Sequence, residues 1–214
     1  MKQEPEFLLA LDVSTSTIGI ALFEDDGTKG DLKLLHHVSP KVKPLPTSKM
    51  EELFRKVEIF EQEFLKNYAN FNITTVVIEE PLLQSNNVYT IATLLRFNGM
   101  ISKSVYDTLG VVPTFISSYD ARKYAFPDLM AVRTFKKDGT PLDAKAIAKN
   151  SPVLFGAHSF LVDKKMILWE KVAELEPQIT WFFDKNNKLK KENFDMSDSY
   201  VCGLAYFNKR NLEK

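Results

Sequence analysis

Four carboxylates in this chain stand where chemistry could use them. Asp12 lies at the end of an apolar run, Phe7 to Val13. Aspartate disfavours strands and is seldom buried unless paired or bound to a metal. A second apolar run, Thr74 to Ile78, ends in Glu79-Glu80-Pro81. Its β-branched composition suits a buried parallel strand, and ligands of open α/β sheets gather at the carboxyl ends of such strands. Successive strand residues point to opposite faces, so only one of Glu79 and Glu80 can share Asp12's side. Asp195 and Asp198 stand three residues apart at the start of a helical run and therefore share a helix face. Each acid also has an ordinary structural use. Asp12 could close an Asx turn with Ser14 or Thr15, and Glu79-Glu80 could be an exposed strand end. Asp195 could be an N-cap, with Asp198 as the acid that favours a helix N-terminus. Taken together, Asp12, one of Glu79 and Glu80, Asp195 and Asp198 form the set of hard oxygen ligands that phosphodiester hydrolysis by two Mg²⁺ or Mn²⁺ ions needs, with the ions about 3.5–4 Å apart. One ion would activate a water and the other would stabilise the leaving 3′ oxygen. Four crowded carboxylates repel one another, and a bound cation relieves that repulsion.

The elements that must position these acids follow from periodicity. Phe7 to Val13, Ile18 to Phe23 and Leu32 to Val38 read as three strands joined by short polar turns, an antiparallel meander. Asp26-Gly27 is a hairpin-type turn signal. From Ser48 to Asn70, Met50, Leu53, Phe54, Val57, Phe60, Phe64 and Leu65 recur at helical spacing, with Ser48 as N-cap. Asn87 to Leu109 reads as a second long helix closed by Gly110. Val111 to Ile116 is a further strand, and Ser118 caps a short helix. Lys164 to Leu175 and Asp195 to Phe207 are helical in period, the former stopped by Pro177. Phe126 to Asp163 breaks the pattern with Pro127, Gly139, Pro141, Pro152 and Gly156, and reads as an insertion or mobile arm. The expected fold is an α/β mixed sheet, three antiparallel strands followed by parallel strands with flanking helices, in a single domain over residues 1–214.

Composition narrows the class. The chain has 214 residues, 28 basic and 28 acidic, with 44% hydrophobic residues, enough for its own core. Cys202 is the only cysteine, which excludes an intrachain disulfide and a cysteine-based zinc site. The apolar run Phe7 to Leu11 is too short for a signal peptide, and no run approaches the ~20 residues of a membrane span. A soluble protein of a reducing cytoplasm, bacterial or in a phage-infected host, is the expectation.

Leu9-Ala10-Leu11-Asp12-Val13-Ser14-Thr15-Ser16-Thr17-Ile18-Gly19 resembles the first strand, catalytic aspartate and turn of the RuvC-type Holliday junction resolvases of the ribonuclease H-like superfamily. Val77-Ile78-Glu79 is similar to the family's second acidic motif. There the ligand follows an aliphatic pair, which favours Glu79 over Glu80. A short loop, Asn86 and a long helix with Gly99 come next at the family's spacing, and Asp195-Met196-Ser197-Asp198 is similar to its D-x-x-D. The resemblance covers nearly the whole chain except Phe126 to Asp163. It implies a metal-dependent endonuclease of DNA recombination that nicks opposing strands of four-way junctions. It further implies two Mg²⁺ ions per site, or Mn²⁺, and a homodimer. Two departures stand out: Val13-Ser14 where many members have Pro-Gly, and the long insertion. Both resemble divergent phage-encoded members. The family's junction-entering aromatic residue corresponds to Leu82, whose apolar side chain suits a wedge between bases; its ordinary use is core packing.

Phosphate contacts are expected from Lys136 and Lys137, Lys164 and Lys165, and Lys190 and Lys191, with Tyr119, Arg122 and Lys123 as a further patch. Arg133 to Lys149 carries five basic and two acidic residues, and Lys185 to Lys191 four lysines and no acid. The Asn87 to Leu109 helix is apolar on more than one stripe, which fits deep burial or a two-fold interface. Three other functions fit parts of the pattern: a ribonuclease H-like enzyme on RNA or hybrids, a sugar kinase-like ATP hairpin at Asp12 to Thr17, and a non-catalytic DNA-binding dimer. The length and the lack of a second phosphate loop count against the kinase.

Overall fold

The computed structural model describes residues 4–81, 87–136, 138–156 and 163–213. The chain opens with the expected meander: β1 (Glu6–Val13), β2 (Ile18–Asp25) and β3 (Gly30–Val38). Ser14 rather than Asp12 ties the first turn: its hydroxyl accepts from the Thr17 amide at 3.0 Å and donates to the Thr17 carbonyl at 2.8 Å. That leaves the Asp12 carboxylate out of the turn.

The helix α1 (Lys49–Phe60) starts at Ser48, whose side chain accepts from the Glu51 amide. It runs through one π turn, Glu61–Leu65, into α2 (Lys66–Tyr68). β4 (Ile73–Glu79) leads to α3 (Val88–Leu109), capped by Asn87 and ended by Gly110 at φ 71°, a left-handed conformation that glycine adopts without a Cβ clash. β5 (Thr114–Ile116) and α4 (Ser118–Ala125) follow. The cap of α4 is Ser117, not Ser118, because the Ser117 hydroxyl accepts from the Asp120 amide. Within 126–163, β6 (Met130–Val132), α5 (Ala144–Ile147) and β7 (Pro152–Leu154) are short, and β6 pairs antiparallel with β7. Phe126 and Leu154 are buried in the main core, so both ends of the described stretch are anchored. α6 (Lys164–Leu175) and α7 (Glu192–Leu212) complete the chain.

The five-stranded sheet has the order β3-β2-β1-β4-β5. β1–β2 and β2–β3 are antiparallel, while β1–β4 and β4–β5 are parallel. Side-chain parity divides its two faces. Leu9, Leu11, Val13, Val76 and Ile78 pack with α1 and α3 residues such as Leu53, Phe60, Phe97 and Ile101. Leu8, Ala10, Ala21, Phe23 and Val77 pack with α4, α6 and α7, including Ala121, Leu168 and Met196. Because both faces are covered, β1 and β4 are apolar on both parities until their ends.

α7 lies very close to the sheet, and glycines permit it. A Cβ on Gly19 would sit 1.9 Å from the Asp195 carbonyl oxygen, and one on Gly203 would sit 2.3 Å from the Phe23 ring. The first of these contacts presses the acidic turn of α7 against β2, beside the end of β1.

Candidate active site

Asp12 shares the parity of Leu8 and Ala10, and Glu79 that of Val77, so both point to the α7 side of the sheet. The parallel register pairs Leu11 with Ile78, which sets Asp12 beside Glu79 at the two strand ends. Asp198 descends onto them from α7. Carboxylate oxygens of Asp12, Glu79 and Asp198 all lie within 4.8 Å of one another. Asp198 is buried, and Asp12 and Glu79 are half-buried, so the trio keeps partial access to solvent. Glu80 is exposed and lies past the end of β4, with its amide donating to the Ile116 carbonyl at 2.8 Å.

Asp195 is half-buried one helical turn before Asp198, at the rim rather than inside the 4.8 Å group. The Thr17 hydroxyl donates a hydrogen bond to it. Neither acid of α7 is a cap. The helix starts at Glu192, three residues before Asp195, because Asn193 pins the chain there. The buried Asn193 side chain accepts from the Phe182 amide at 3.0 Å and donates to the Phe182 carbonyl at 2.7 Å. Asp195 therefore lies at the end of the first turn and Asp198 in the second.

Burial and mutual repulsion raise these carboxyls. Asp12 is pushed well above the usual range by burial, then by Glu79, Asp198 and Asp195. Burial and Asp198 raise Glu79 to about 8 against the opposing charges of Arg122 and Lys165. Asp195 rises to about 6 for the same leading reason, burial, with Lys165 opposing. Burial also raises Asp198, and Lys165 and Arg122 again oppose it. Without a cation the group holds protons that exposed carboxylates would have lost.

Two cations face the acids from the α4 and α6 side. Lys165 Nζ lies 3.7 Å from Asp198 Oδ2 on a side chain that is 53% exposed, and Arg122 from α4 acts on Glu79 and Asp198. Both were expected to touch DNA phosphate, and the structure places their charge at the carboxylates as well. Lys164 is half-buried at the start of α6, and Lys136, Lys190 and Lys191 are exposed. Lys123 lies 5.1 Å from the Tyr124 ring centroid, and Tyr119 is exposed. Leu82, Asn86 and Lys137 lie outside the described residues.

Sequence reasoning passed over three contributors. Thr17 holds Asp195, Gly19 lets α7 approach, and Cys202 lies beneath Glu79 with Sγ 4.0 Å from Glu79 Oε2. Burial keeps the Cys202 thiol protonated, and Glu79 and Asp12 push in the same direction. The signal for Cys202 was its spacing of four from Asp198, one turn along the same helix face.

The donor set fits a hard divalent cation. Two carboxylate oxygens on one Mg²⁺ at about 2.1 Å can be at most about 4.2 Å apart. A 4.8 Å envelope is therefore closed by a small movement, or spanned by two ions about 3.5–4 Å apart.

No protein-family model and no curated protein sequence matches the chain. Among solved structures, Thermus thermophilus RuvC is similar at 14% identity, with 95% of each chain covered and a TM-score of 0.50. T. thermophilus RuvC in complex with its Holliday junction substrate is similar at 11% identity over 96% of this chain and 95% of that one, with a TM-score of 0.53. The fold of this chain is thus the ribonuclease H-like fold of RuvC: a mixed five-stranded sheet between helices. Among the described residues, no helix is long and apolar enough to cross a membrane.

Proposed function

We propose that the chain is a divalent-metal-dependent, structure-selective endonuclease that nicks opposing strands of four-way DNA junctions. The observation that carries this reading is the convergence of Asp12, Glu79 and Asp198 within 4.8 Å at the ends of two parallel strands, on a RuvC-like fold. Asp12, Glu79 and Asp198 would hold Mg²⁺ or Mn²⁺, with Asp195 at the rim completing the set for a second ion. A cation held there would activate a water and stabilise the charge on the leaving oxygen.

The chain's own residues supply the rest. Glu79, raised to about 8, would have to be deprotonated to hold a cation. The Cys202 thiol below it and Thr17 beside Asp195 hold these two carboxylates in place. Lys165 and Arg122 offer their charge to the incoming phosphate.

The dimer belongs to the same proposal. Buried residues of α3 begin only at Phe97, and the preceding turns expose Val88 and Tyr89 at 75% and 86%. Deep burial of the whole helix is therefore not its use. Farther along α3, a groove of about 710 Å³ between α1 and α3 combines apolar Phe54, Val57 and Met100 with charged Glu58, Arg96 and Lys103. A second copy seated there two-fold would set two sites against two opposing strands.

The test is cleavage of a synthetic four-way junction. Paired nicks in Mg²⁺ and none in a chelator are expected. Faster cutting of an RNA–DNA hybrid than of the junction would overturn the substrate assignment.

A further inference from the structure

The segment from Phe182 to Lys191 is built as a rigid hairpin, although it contains no regular strand. Phe183 bridges Leu189 in antiparallel fashion, and the Lys190 amide donates to the Phe182 carbonyl at 3.0 Å. Asp184 closes the tip. Its carboxylate accepts from the Asn186 and Lys188 amides at 2.8 and 2.9 Å, and its own amide donates to the Lys188 carbonyl at 2.8 Å. Asn187 takes the left-handed conformation, φ 60°, that such a turn needs and that asparagine tolerates. At the base, buried Asn193 grips both backbone groups of Phe182.

This fixed hairpin carries Lys185, Lys188, Lys190 and Lys191, all exposed. Among the described residues none of the four forms an ion pair with a carboxylate. The one carboxylate inside the hairpin, Asp184, is occupied by backbone amides. A folded loop that concentrates unpaired ammonium groups is suited to a polyanion, since each phosphate neutralised releases counterions.

Its place relative to the metal site follows from sheet register. Asp12 pairs with Gly19, and Gly19 pairs with His37. His37 therefore lies two strand spacings from Asp12, about 10 Å. The Phe182 ring packs edge-on against His37 at 5.0 Å between centroids. The hairpin thus stands on the β3 side of the site, whereas Lys165 and Arg122 face the acids from the α4 and α6 side. At about 3.4 Å per nucleotide of one strand, the hairpin base is roughly three to four nucleotides from a phosphate lying over Asp12.

We propose that the 182–191 hairpin is a clamp on duplex DNA that grips phosphates about three to four nucleotides from the cut, on the junction arm leaving over β3. The inference rests on the nuclease reading and adds where the arm runs. Its test uses the full chain and the triple variant Lys185→Gln, Lys188→Gln, Lys190→Gln, with junction affinity measured against salt. These side chains are exposed and unpaired, so the melting temperature should hold. The slope of log K against log salt should become shallower by about 2 to 3, near 0.9 per lost phosphate contact. A single methylphosphonate three to four nucleotides from the cut should weaken the wild-type protein and leave the variant unaffected. An unchanged salt slope, or an equal methylphosphonate penalty in both proteins, overturns the clamp while the nuclease reading stands. A wild-type protein that neither binds nor nicks junctions overturns the nuclease reading, and the clamp falls with it.

Discussion

The two faces of the central sheet are made from alternate residues of the same strands, yet they end differently. On the α1–α3 side, Leu11, Val13 and Ile78 keep the pattern apolar to the strand ends, and all three are buried. On the α7 side the same pattern stops one residue earlier, at Ala10 and Val77, and Asp12 and Glu79 take the next inward positions. One face uses its strand ends for packing, and the other uses them for charge. Three crowded carboxylates give the folded chain nothing as packing; burial raises all three together with Asp195. Such a group suits a divalent cation, whose binding would offset that cost.

The sharpest way to break this contrast is to exchange neighbours of opposite parity. Glu79→Gln should lower nicking by about 10³-fold, because metal ions supply several kcal/mol of transition-state stabilisation and each 1.4 kcal/mol is tenfold. Glu80→Gln, one residue along and exposed, should leave the rate within about twofold, given its distance from the site. Nicking rates of the two purified variants decide it, and the reverse pattern would transfer the role to Glu80.

The packing face should respond in stability instead. Leu11→Ala empties a fully buried position and should cost about 2–5 kcal/mol in urea unfolding. An unaltered unfolding midpoint would mean that this face is not the closed core described above.

Gly19→Ala probes the contact between the faces' common sheet and α7. The added methyl meets the Asp195 carbonyl, and displacing α7 should cost about 1–3 kcal/mol. It should also weaken Mn²⁺ binding, since Asp198 rides on the same helix; calorimetric titration checks this. The corresponding effect of a methyl at an open glycine such as Gly99, which has nothing within 4 Å of the added Cβ, should be small.

A further test is the pH dependence of the metal-free protein. A carboxyl whose folded pKa exceeds its unfolded value binds more protons in the native state, so stability falls as pH rises through that interval. The interval runs from about 4, the unfolded carboxylate value, to about 8, set by Glu79. In a chelator the melting temperature should therefore decline across it. Added Mg²⁺ should raise the melting temperature more at the alkaline end, where the acids are deprotonated and able to bind. A chelated protein that gains stability over the same interval would contradict the assignment of raised carboxyls.

Much of this contrast was legible in the chain. The meander and the crossover order follow from period-2 and period-3.6 patterning, and parity left one of Glu79 and Glu80 able to join Asp12, with the choice of Glu79 coming only from the family resemblance. The remainder depended on tertiary contacts. The start of α7 moved from Asp195 to Glu192 because buried Asn193 is bonded to Phe182 across the hairpin, and no local signal announces that contact. Lys165 read as a phosphate contact, and α6 also carries its charge to Asp198. Gly19 read as the opening of a strand, and its use is visible only once α7 lies against it. The anchoring of the described part of 126–163 through Phe126 and Leu154 was likewise hidden by its prolines and glycines.

The most direct test of the central claim is Asp198→Asn, assayed in one preparation for Mn²⁺ binding, junction binding and nicking. Asp198 is in the second turn of α7 rather than at a cap, and an amide is a poorer ligand for a hard cation than a carboxylate. Loss of nicking and weakened Mn²⁺ binding, with melting temperature and junction affinity retained, is the predicted result. A folded Asp198→Asn protein that binds Mn²⁺ and nicks junctions like the wild type would contradict the account.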